Sequence, residues 1–197
     1  MIMANRTYLY GIKGKKASGI SEYNYEIPIS YKILLSQNTK RVKSKIFRSP
    51  FKIALQGDFE KGVKKLNEFL EELIKKGYFE ENELEKEIEN TKAFFQKNAN
   101  FDYFYLDCSE IYEMESKSRC LSNKRTLKQI LNINDEIECF YREMDAIKKE
   151  YDDMNGKMTQ LQKETGGNQK LEQLKNRMMS MIGIQEWTNY LYYELGE

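Results

Sequence analysis

The chain has 197 residues, of which 40% are hydrophobic and 32% are charged, and its formal net charge is +1. This composition provides a core for one domain or slightly more, argues against extensive disorder, and gives no overall field that would attract nucleic acid or a membrane surface. Histidine is absent, which excludes Ser-His-Asp and Cys-His catalysis and every histidine-ligated metal site.

Neither a membrane-spanning helix nor a signal peptide is predicted, because the sequence contains no run of about 18 apolar residues and its first residues lack an apolar core. The three cysteines, Cys108, Cys120 and Cys139, are odd in number and lack the spacing of metal ligands. Reduced thiols in a cytoplasmic protein are therefore favoured over a disulfide or a metal site.

The first third of the chain predicts a small β-sheet with one short helix. β-Branched and aromatic residues favour strands at three positions, residues 6–12, 41–47 and 52–55. Pro28 suits the first turn of a helix and predicts a short one over residues 29–35. Residues 13–19 are interpreted as a basic loop and residues 21–25 as a polar connection.

The middle of the chain predicts three helices. Asp58 suits the N-cap of an amphipathic helix that Gly77 ends. An acidic surface helix is predicted over residues 80–98, and apolar residues at helical spacing predict another over residues 101–114. Residues 116–124 are interpreted as a polar link to the final third of the chain.

The strongest periodic signal is a heptad pattern over residues 133–161. Its apolar positions alternate steps of four and three residues: Ile133, Ile137, Phe140, Met144, Ile147, Tyr151, Met154, Met158 and Leu161. A glycine break at residues 165–168 precedes a second pattern over residues 171–185. Two such helices joined by a short turn predict a long C-terminal antiparallel helical hairpin. The same seam could instead close between two copies of the chain in a homodimer.

Together these elements predict an α+β, mainly helical fold. A small N-terminal β-sheet with helices would form a domain over residues 1–120. The coiled-coil-like hairpin would occupy residues 121–197 and pack on that domain.

Charge is segregated along the chain, with 11 basic and 2 acidic side chains in residues 1–56 but 10 basic and 16 acidic in residues 57–120. The basic excess is concentrated in the segment that we assign as the candidate partner-binding site: Lys40, Arg41, Lys43, Lys45, Arg48 and Lys52. Phe47 and Phe51 lie among these cations, and this combination can bind a nucleic-acid backbone and stack bases, or bind an acidic protein. The simpler interpretation is an edge strand whose lysines prevent edge-to-edge pairing.

Other chemically suggestive patterns have simpler structural explanations. The predicted acidic helix carries six glutamates, Glu80, Glu81, Glu83, Glu85, Glu87 and Glu89. Glu81 and Glu85 fall on one face, as do Glu83 and Glu87, and such pairs could hold Mg²⁺, but a solvated helix face explains them better. Residues 57–62 lack the spacing of a phosphate-binding loop. A buried helix face explains four further residues, Tyr103, Tyr105, Cys108 and Tyr112. No catalytic, cofactor-binding or metal-ligating residue is therefore assigned.

Three segments carry a resemblance to a known family: residues 3–10 (MANRTYLY), 20–28 (ISEYNYEIP) and 53–63 (IALQGDFEKGV), with residues 107–111 (DCSEI) further on. They resemble a family of uncharacterised bacterial proteins known only as a domain of unknown function, over residues 1–115. The resemblance carries over no catalytic residue and leaves the hairpin outside the shared part. Small bacterial proteins of this kind often look like immunity proteins of contact-dependent toxin systems, and the resemblance implies that function.

The sequence therefore predicts a binding protein and not an enzyme. The most concrete hypothesis is a cytosolic bacterial immunity protein that neutralises a cognate toxin by occluding its active site. The first alternative is a nucleic-acid-binding or regulatory protein that uses residues 40–52. A hydrolase that uses carboxylates, tyrosine or cysteine is the least favoured alternative, and no cofactor is expected.

Overall fold

The protein is known from a computed structural model that describes residues 5–79, 82–115, 118–157, 169–188, 190–193 and 195. These residues form five strands: β1 Arg6–Lys13, β2 Lys16–Asn24, β3 Lys40–Val42, β4 Ala54–Asp58 and β5 Tyr103–Asp107. They also form seven helices: α1 Ile29–Leu34, α2 Phe59–Lys75, α3 Glu83–Lys97, α4 Ser109–Met114, α5 Arg119–Leu131, α6 Ile133–Lys157 and α7 Gln169–Ile182. The fold class is α+β. None of the described helices is long and apolar enough to cross a lipid bilayer.

The five strands form one antiparallel sheet in the order β2-β1-β5-β4-β3. The predictions of β1, α1 and α2 are confirmed. β5 was predicted as helix, but it inserts between β1 and β4 as a central strand. The error has a physical cause, because a strand that is buried on both faces shows a continuous apolar run in place of alternation. Four of the five residues of β5 are buried.

One face of the sheet packs under the helices. Four residues of this face, Leu9, Leu55, Phe104 and Leu106, are at most 1% exposed and belong to one hydrophobic cluster with side chains of α1, α2, α3, α5, α6 and α7. α3 was predicted as a surface helix, yet it buries Leu84, Ile88 and Phe95 in this cluster. The cluster draws on both predicted domains, residues 1–120 and 121–197, so one core joins them.

Gly62 allows α2 to lie against α1, and this contact gives a stability prediction. A Cβ at Gly62 would lie 2.1 Å from the Leu34 carbonyl oxygen. We expect Gly62→Ala to lower the free energy of unfolding by about 2 kcal/mol, since overpacking a tight core forces the backbone apart. Gly156→Ala in α6 is the matched control, because among the described residues no atom outside its own helical turns lies within 4 Å of its Cβ position.

Urea unfolding measures both glycine variants. We expect Gly156→Ala to leave stability unchanged or to raise it by about 1 kcal/mol, because alanine has the higher helix propensity. Equal free energies of unfolding for the two variants would contradict the close approach of α1 and α2.

The prediction of a long C-terminal antiparallel helical hairpin is wrong. α5 and α6 are separate helices with a break at Asn132, and α7 has 14 residues against 25 in α6. Both α6 and α7 pack into the main core, where the ring centroids of Phe140 and Phe69 of α2 lie 5.6 Å apart. The heptad pattern marks the buried side of α6 but not what covers it, because an apolar stripe fits any helical layer. The predicted break at residues 165–168 lies outside the described residues.

The segment after α7 crosses the open edge of the sheet. The Thr188 amide donates to the Ile20 carbonyl of the edge strand β2 at 2.8 Å. The Trp187 indole donates to the Thr91 hydroxyl of α3 at 2.7 Å. This crossing satisfies a backbone carbonyl of the edge strand and brings residues 191–193 to the other face of the sheet.

The second face of the sheet is a tyrosine-rich layer under this C-terminal segment. Tyr8, Tyr10 and Tyr105 are at most 1% exposed. The Tyr10 hydroxyl donates to the Tyr193 carbonyl at 2.8 Å, and the rings of Tyr8 and Tyr193 meet edge to face with centroids 5.2 Å apart. Burial, with the carboxylates of Glu110 or Asp107 nearby, raises the pKa of the three buried tyrosines well above the ordinary value of 10.0.

These raised pKa values predict loss of stability at alkaline pH. A tyrosine whose pKa is raised by folding loses its proton first in the unfolded chain, so its contribution is complete below pH 10.0 and declines as pH rises further. We expect urea unfolding to show a decrease of about 1 kcal/mol per pH unit for each buried tyrosine above that pH. Tyr10→Phe should decline less steeply than the wild type, and identical slopes would contradict the prediction.

Candidate binding surface

The predicted basic segment lies at one edge of the sheet. Lys40 and Arg41 belong to the edge strand β3, and the other cations lie in the connection from β3 to β4. Five of the six predicted side chains are exposed, namely Lys40, Lys43, Lys45, Arg48 and Lys52. Within the described part of the chain, these five form no ion pair with a carboxylate. Lys40 fits the simpler interpretation of a lysine-protected edge, whereas the connection forms no strand that would need protection.

Arg41 is placed differently from the other five predicted residues, because its guanidinium points into the protein. Its Nε donates to Asn123 Oδ1 at 2.7 Å, and its Nη2 donates to the Lys52 carbonyl at 2.5 Å and lies 3.2 Å from Cys120 Sγ. Asn123, which is fully buried, also donates to the Ile53 carbonyl at 3.1 Å. Arg41 therefore attaches the basic segment to α5.

The attachment brings a second basic segment beside the first. α5 contains four cationic side chains and no carboxylate: Arg119, Lys124, Arg125 and Lys128. Arg119 and Arg125 pair with Glu113 and Glu115, but Lys124 and Lys128 are exposed. Lys124 was missed because residues 116–124 were interpreted as a link, and Lys128 was assigned no role. The absence of any Asp or Glu from residues 117–134 is the signal that could have found them.

We call the combined surface the basic face, and it consists of Lys40, Lys43, Lys45, Arg48, Lys52, Lys124 and Lys128. Two apolar side chains accompany it: Phe51 is 60% exposed and Leu121 is 56% exposed. Their chain neighbours Lys52 and Cys120 both contact Arg41, so Phe51 and Leu121 flank the junction of the two segments. Exposed apolar groups amid cations suit the centre of an interface better than a bare solvated surface.

A buried carboxylate lies directly beneath the basic segment. Asp107 at the end of β5 is fully buried. It accepts hydrogen bonds from the Ser44 hydroxyl at 2.5 Å, the Tyr105 hydroxyl at 2.9 Å and the Ser109 amide at 3.0 Å. Burial and the Asp107 charge raise the pKa of Tyr105 above its usual value, so its hydroxyl stays protonated and is the donor to Asp107.

The glutamates, tyrosines and cysteine that were considered for metal binding or catalysis do not come together in one site within the described part of the chain. Glu83 on α3 pairs with Lys175 of α7 at 2.6 Å, and the described residues contain no cluster of three His, Cys, Asp or Glu that could hold a metal ion. Tyr105 is in a strand and not on the predicted helix face. Burial raises the pKa of the Cys108 thiol well above 9.0, so the thiol stays protonated and is a poor nucleophile.

A family model described as a domain of unknown function, DUF7822, matches residues 7–147. The chain belongs to this family. The expectation of an uncharacterised domain family is thereby confirmed, and the match extends beyond residue 115 into α6. Both segments of the basic face lie within the DUF7822 match. Searches of curated proteins and of solved structures each found no match.

Proposed function

We propose that this DUF7822 protein is a binding protein whose basic face docks on an acidic surface of another protein in the cytoplasm. The observation that supports this most is the meeting of two segments that are distant in sequence and contain cations but no carboxylates, residues 40–53 and α5. Complementary charge speeds association and selects the partner. Arg41 and Asn123 hold the two segments together, so the cations are presented from a fixed framework.

A protein partner fits this surface better than nucleic acid for two reasons. The whole chain has a formal net charge of only +1, and residues 57–120 have an excess of acidic side chains, so the protein lacks the overall basic charge that is typical of nucleic-acid-binding domains. Phe51 and Leu121 add exposed apolar area to the face, and protein interfaces combine an apolar centre with a polar rim.

The narrower proposal is that the partner is a bacterial toxin and that the protein confers immunity. The resemblance to small bacterial immunity proteins motivates this assignment, and the basic face complements a toxin whose active site is lined by carboxylates. Binding there would occlude the active site without any chemistry on the part of this chain. Its role would therefore be stoichiometric neutralisation.

Co-expression with the product of the adjacent gene tests this function. We expect a one-to-one complex in size-exclusion chromatography and rescue of cells from the toxicity of that product. Failure to form the complex together with failure to rescue would refute the immunity proposal. Rescue without a complex would also refute it, since neutralisation is proposed to act through direct binding.

The alternative function, nucleic-acid binding, is favoured by one specific observation, the exposed Phe51 ring among the cations of residues 40–52. An exposed ring can stack on a base while lysines contact phosphates. Fluorescence anisotropy with a labelled single-stranded DNA oligonucleotide tests this alternative over a salt series. Affinity that falls steeply with salt and is lost in Phe51→Ala would support it.

A further inference from the structure

The connection between β3 and β4 has an ordered backbone although it forms no regular structure. The Ser44 hydroxyl oxygen accepts hydrogen bonds from the amides of Ile46 at 3.1 Å and Phe47 at 2.7 Å. The Tyr105 hydroxyl oxygen accepts from the Lys45 amide at 2.7 Å. Three successive backbone amides of this loop therefore donate hydrogen bonds to two side-chain hydroxyl groups.

Both hydroxyl groups donate their hydrogens to the same acceptor. Ser44 and Tyr105 bond the carboxylate of Asp107, whose third donor is the Ser109 amide. The loop backbone is thus connected to the central strand β5 through two buried side chains of that strand, Tyr105 directly and Asp107 by way of Ser44, and Tyr105 itself bonds Asp107. An ionised acceptor strengthens each of these hydrogen bonds relative to a neutral one.

The far end of the loop is held by aromatic contacts. The Phe47 ring meets the Tyr193 ring with centroids 5.7 Å apart, and the Arg119 guanidinium lies over Phe47 at 5.5 Å. Three exposed cations lie next to the residues that hold the loop. Lys43 precedes Ser44, Lys45 lies between Ser44 and Phe47, and Arg48 follows Phe47. The positions of the cations follow from the backbone that the buried groups define.

We propose that Asp107 is a positioning residue that presets the basic loop, residues 43–48, for partner binding. The partner then meets Lys43, Lys45 and Arg48 already arranged, and less conformational entropy is lost on association. This inference rests on the proposed function, because it concerns the same basic face. It adds that affinity depends on a buried residue that the partner cannot touch.

Asp107→Asn tests the proposal with two readouts. The change keeps the shape of the side chain but removes its charge and turns one acceptor into a donor. We expect amide hydrogen exchange at Lys45, Ile46 and Phe47 to become faster in the free protein. We also expect about tenfold weaker binding to poly-L-glutamate, the probe for the acidic surface, measured by calorimetry.

Ser44→Ala provides a second variant that removes the link to the loop without placing a new group in the core. It should reproduce both effects, and the double variant with Asp107→Asn should be no worse than either single variant, because both break one network. Tyr78→Phe is the matched control. It removes a hydrogen bond from a buried tyrosine to Asp145 of α6, in the hydrophobic cluster on the other side of the sheet, and should cost stability without altering loop exchange or affinity.

Three outcomes would overturn the proposal. These are unchanged loop exchange in Asp107→Asn and Ser44→Ala, faster exchange with unchanged affinity, and an equal loss of affinity in Tyr78→Phe. Failure of the proposed function has a different signature. In that case the wild-type protein does not bind poly-L-glutamate or the adjacent-gene product, while loop exchange in the free protein still responds to Asp107→Asn.

Discussion

The variant Lys43→Glu, Lys45→Glu, Lys124→Glu is expected to bind its acidic partner roughly 100-fold more weakly than the wild type, or not at all. Like charges that face each other across an interface cost several kcal/mol, and 1.4 kcal/mol corresponds to a factor of ten in affinity. Lys43 and Lys45 belong to the first segment of the basic face, and Lys124 belongs to the second. Calorimetric titration of the adjacent-gene product, repeated with poly-L-glutamate, measures the change.

The control for this variant is Lys64→Glu, Lys97→Glu, Lys149→Glu. These lysines are exposed on α2, α3 and α6, so the control makes the same change of net charge away from the basic face. We expect the control to bind within about threefold of the wild type, since only long-range attraction changes. A comparable loss in both variants would show that net charge and not the basic face determines binding.

Replacing Arg41 by alanine is expected to lower the free energy of unfolding by about 3 kcal/mol. The guanidinium bonds Asn123 and the Lys52 carbonyl, and its removal leaves Oδ1 of the fully buried Asn123 without this donor. This is the largest stability effect expected from any of the six predicted partner-binding residues. Urea denaturation, with the slope of the transition checked for two-state behaviour, measures it.

Arg48→Ala is the control for the Arg41 prediction. Arg48 is exposed, so its removal should change stability by no more than about 0.5 kcal/mol while weakening partner binding. Arg41→Lys should recover less than half of the lost free energy of unfolding, because one ammonium group cannot replace the separate Nε and Nη2 donors of the planar guanidinium. Equal stabilities of Arg41→Ala and Arg48→Ala would place Arg41 on the surface and contradict the structure.

Local signals in the sequence were sufficient to predict elements whose apolar pattern does not depend on what packs against them. Asp58 as an N-cap and the apolar stripe that follows it predicted α2. β5 could not be predicted in this way, because burial on both faces gives Tyr103–Asp107 an uninterrupted run of aromatic and aliphatic residues. The helical hairpin failed for a related reason, since Phe140 and Met144 are buried whether α6 faces one partner helix or a whole layer.

The binding surface shows the same division between local and long-range information. Its cations in residues 40–52 are visible in the sequence as a run without carboxylates. The contribution of Lys124 and Lys128 depends on the contact between Arg41 and Asn123, which joins residues that are distant in the chain. The inward direction of Arg41 and the role of Asp107 also depend on side-chain contacts that no spacing in the sequence encodes.

Hydrogen exchange of the complex with the adjacent-gene product is the most direct test of the basic face as the docking surface. Comparison with the free protein locates the amides that the partner covers. We predict that protection is concentrated in residues 43–53 and in the exposed turns of α5, with no change along α3. Protection centred on α3 or on the C-terminal segment, with residues 43–53 unchanged, would contradict the proposed docking surface.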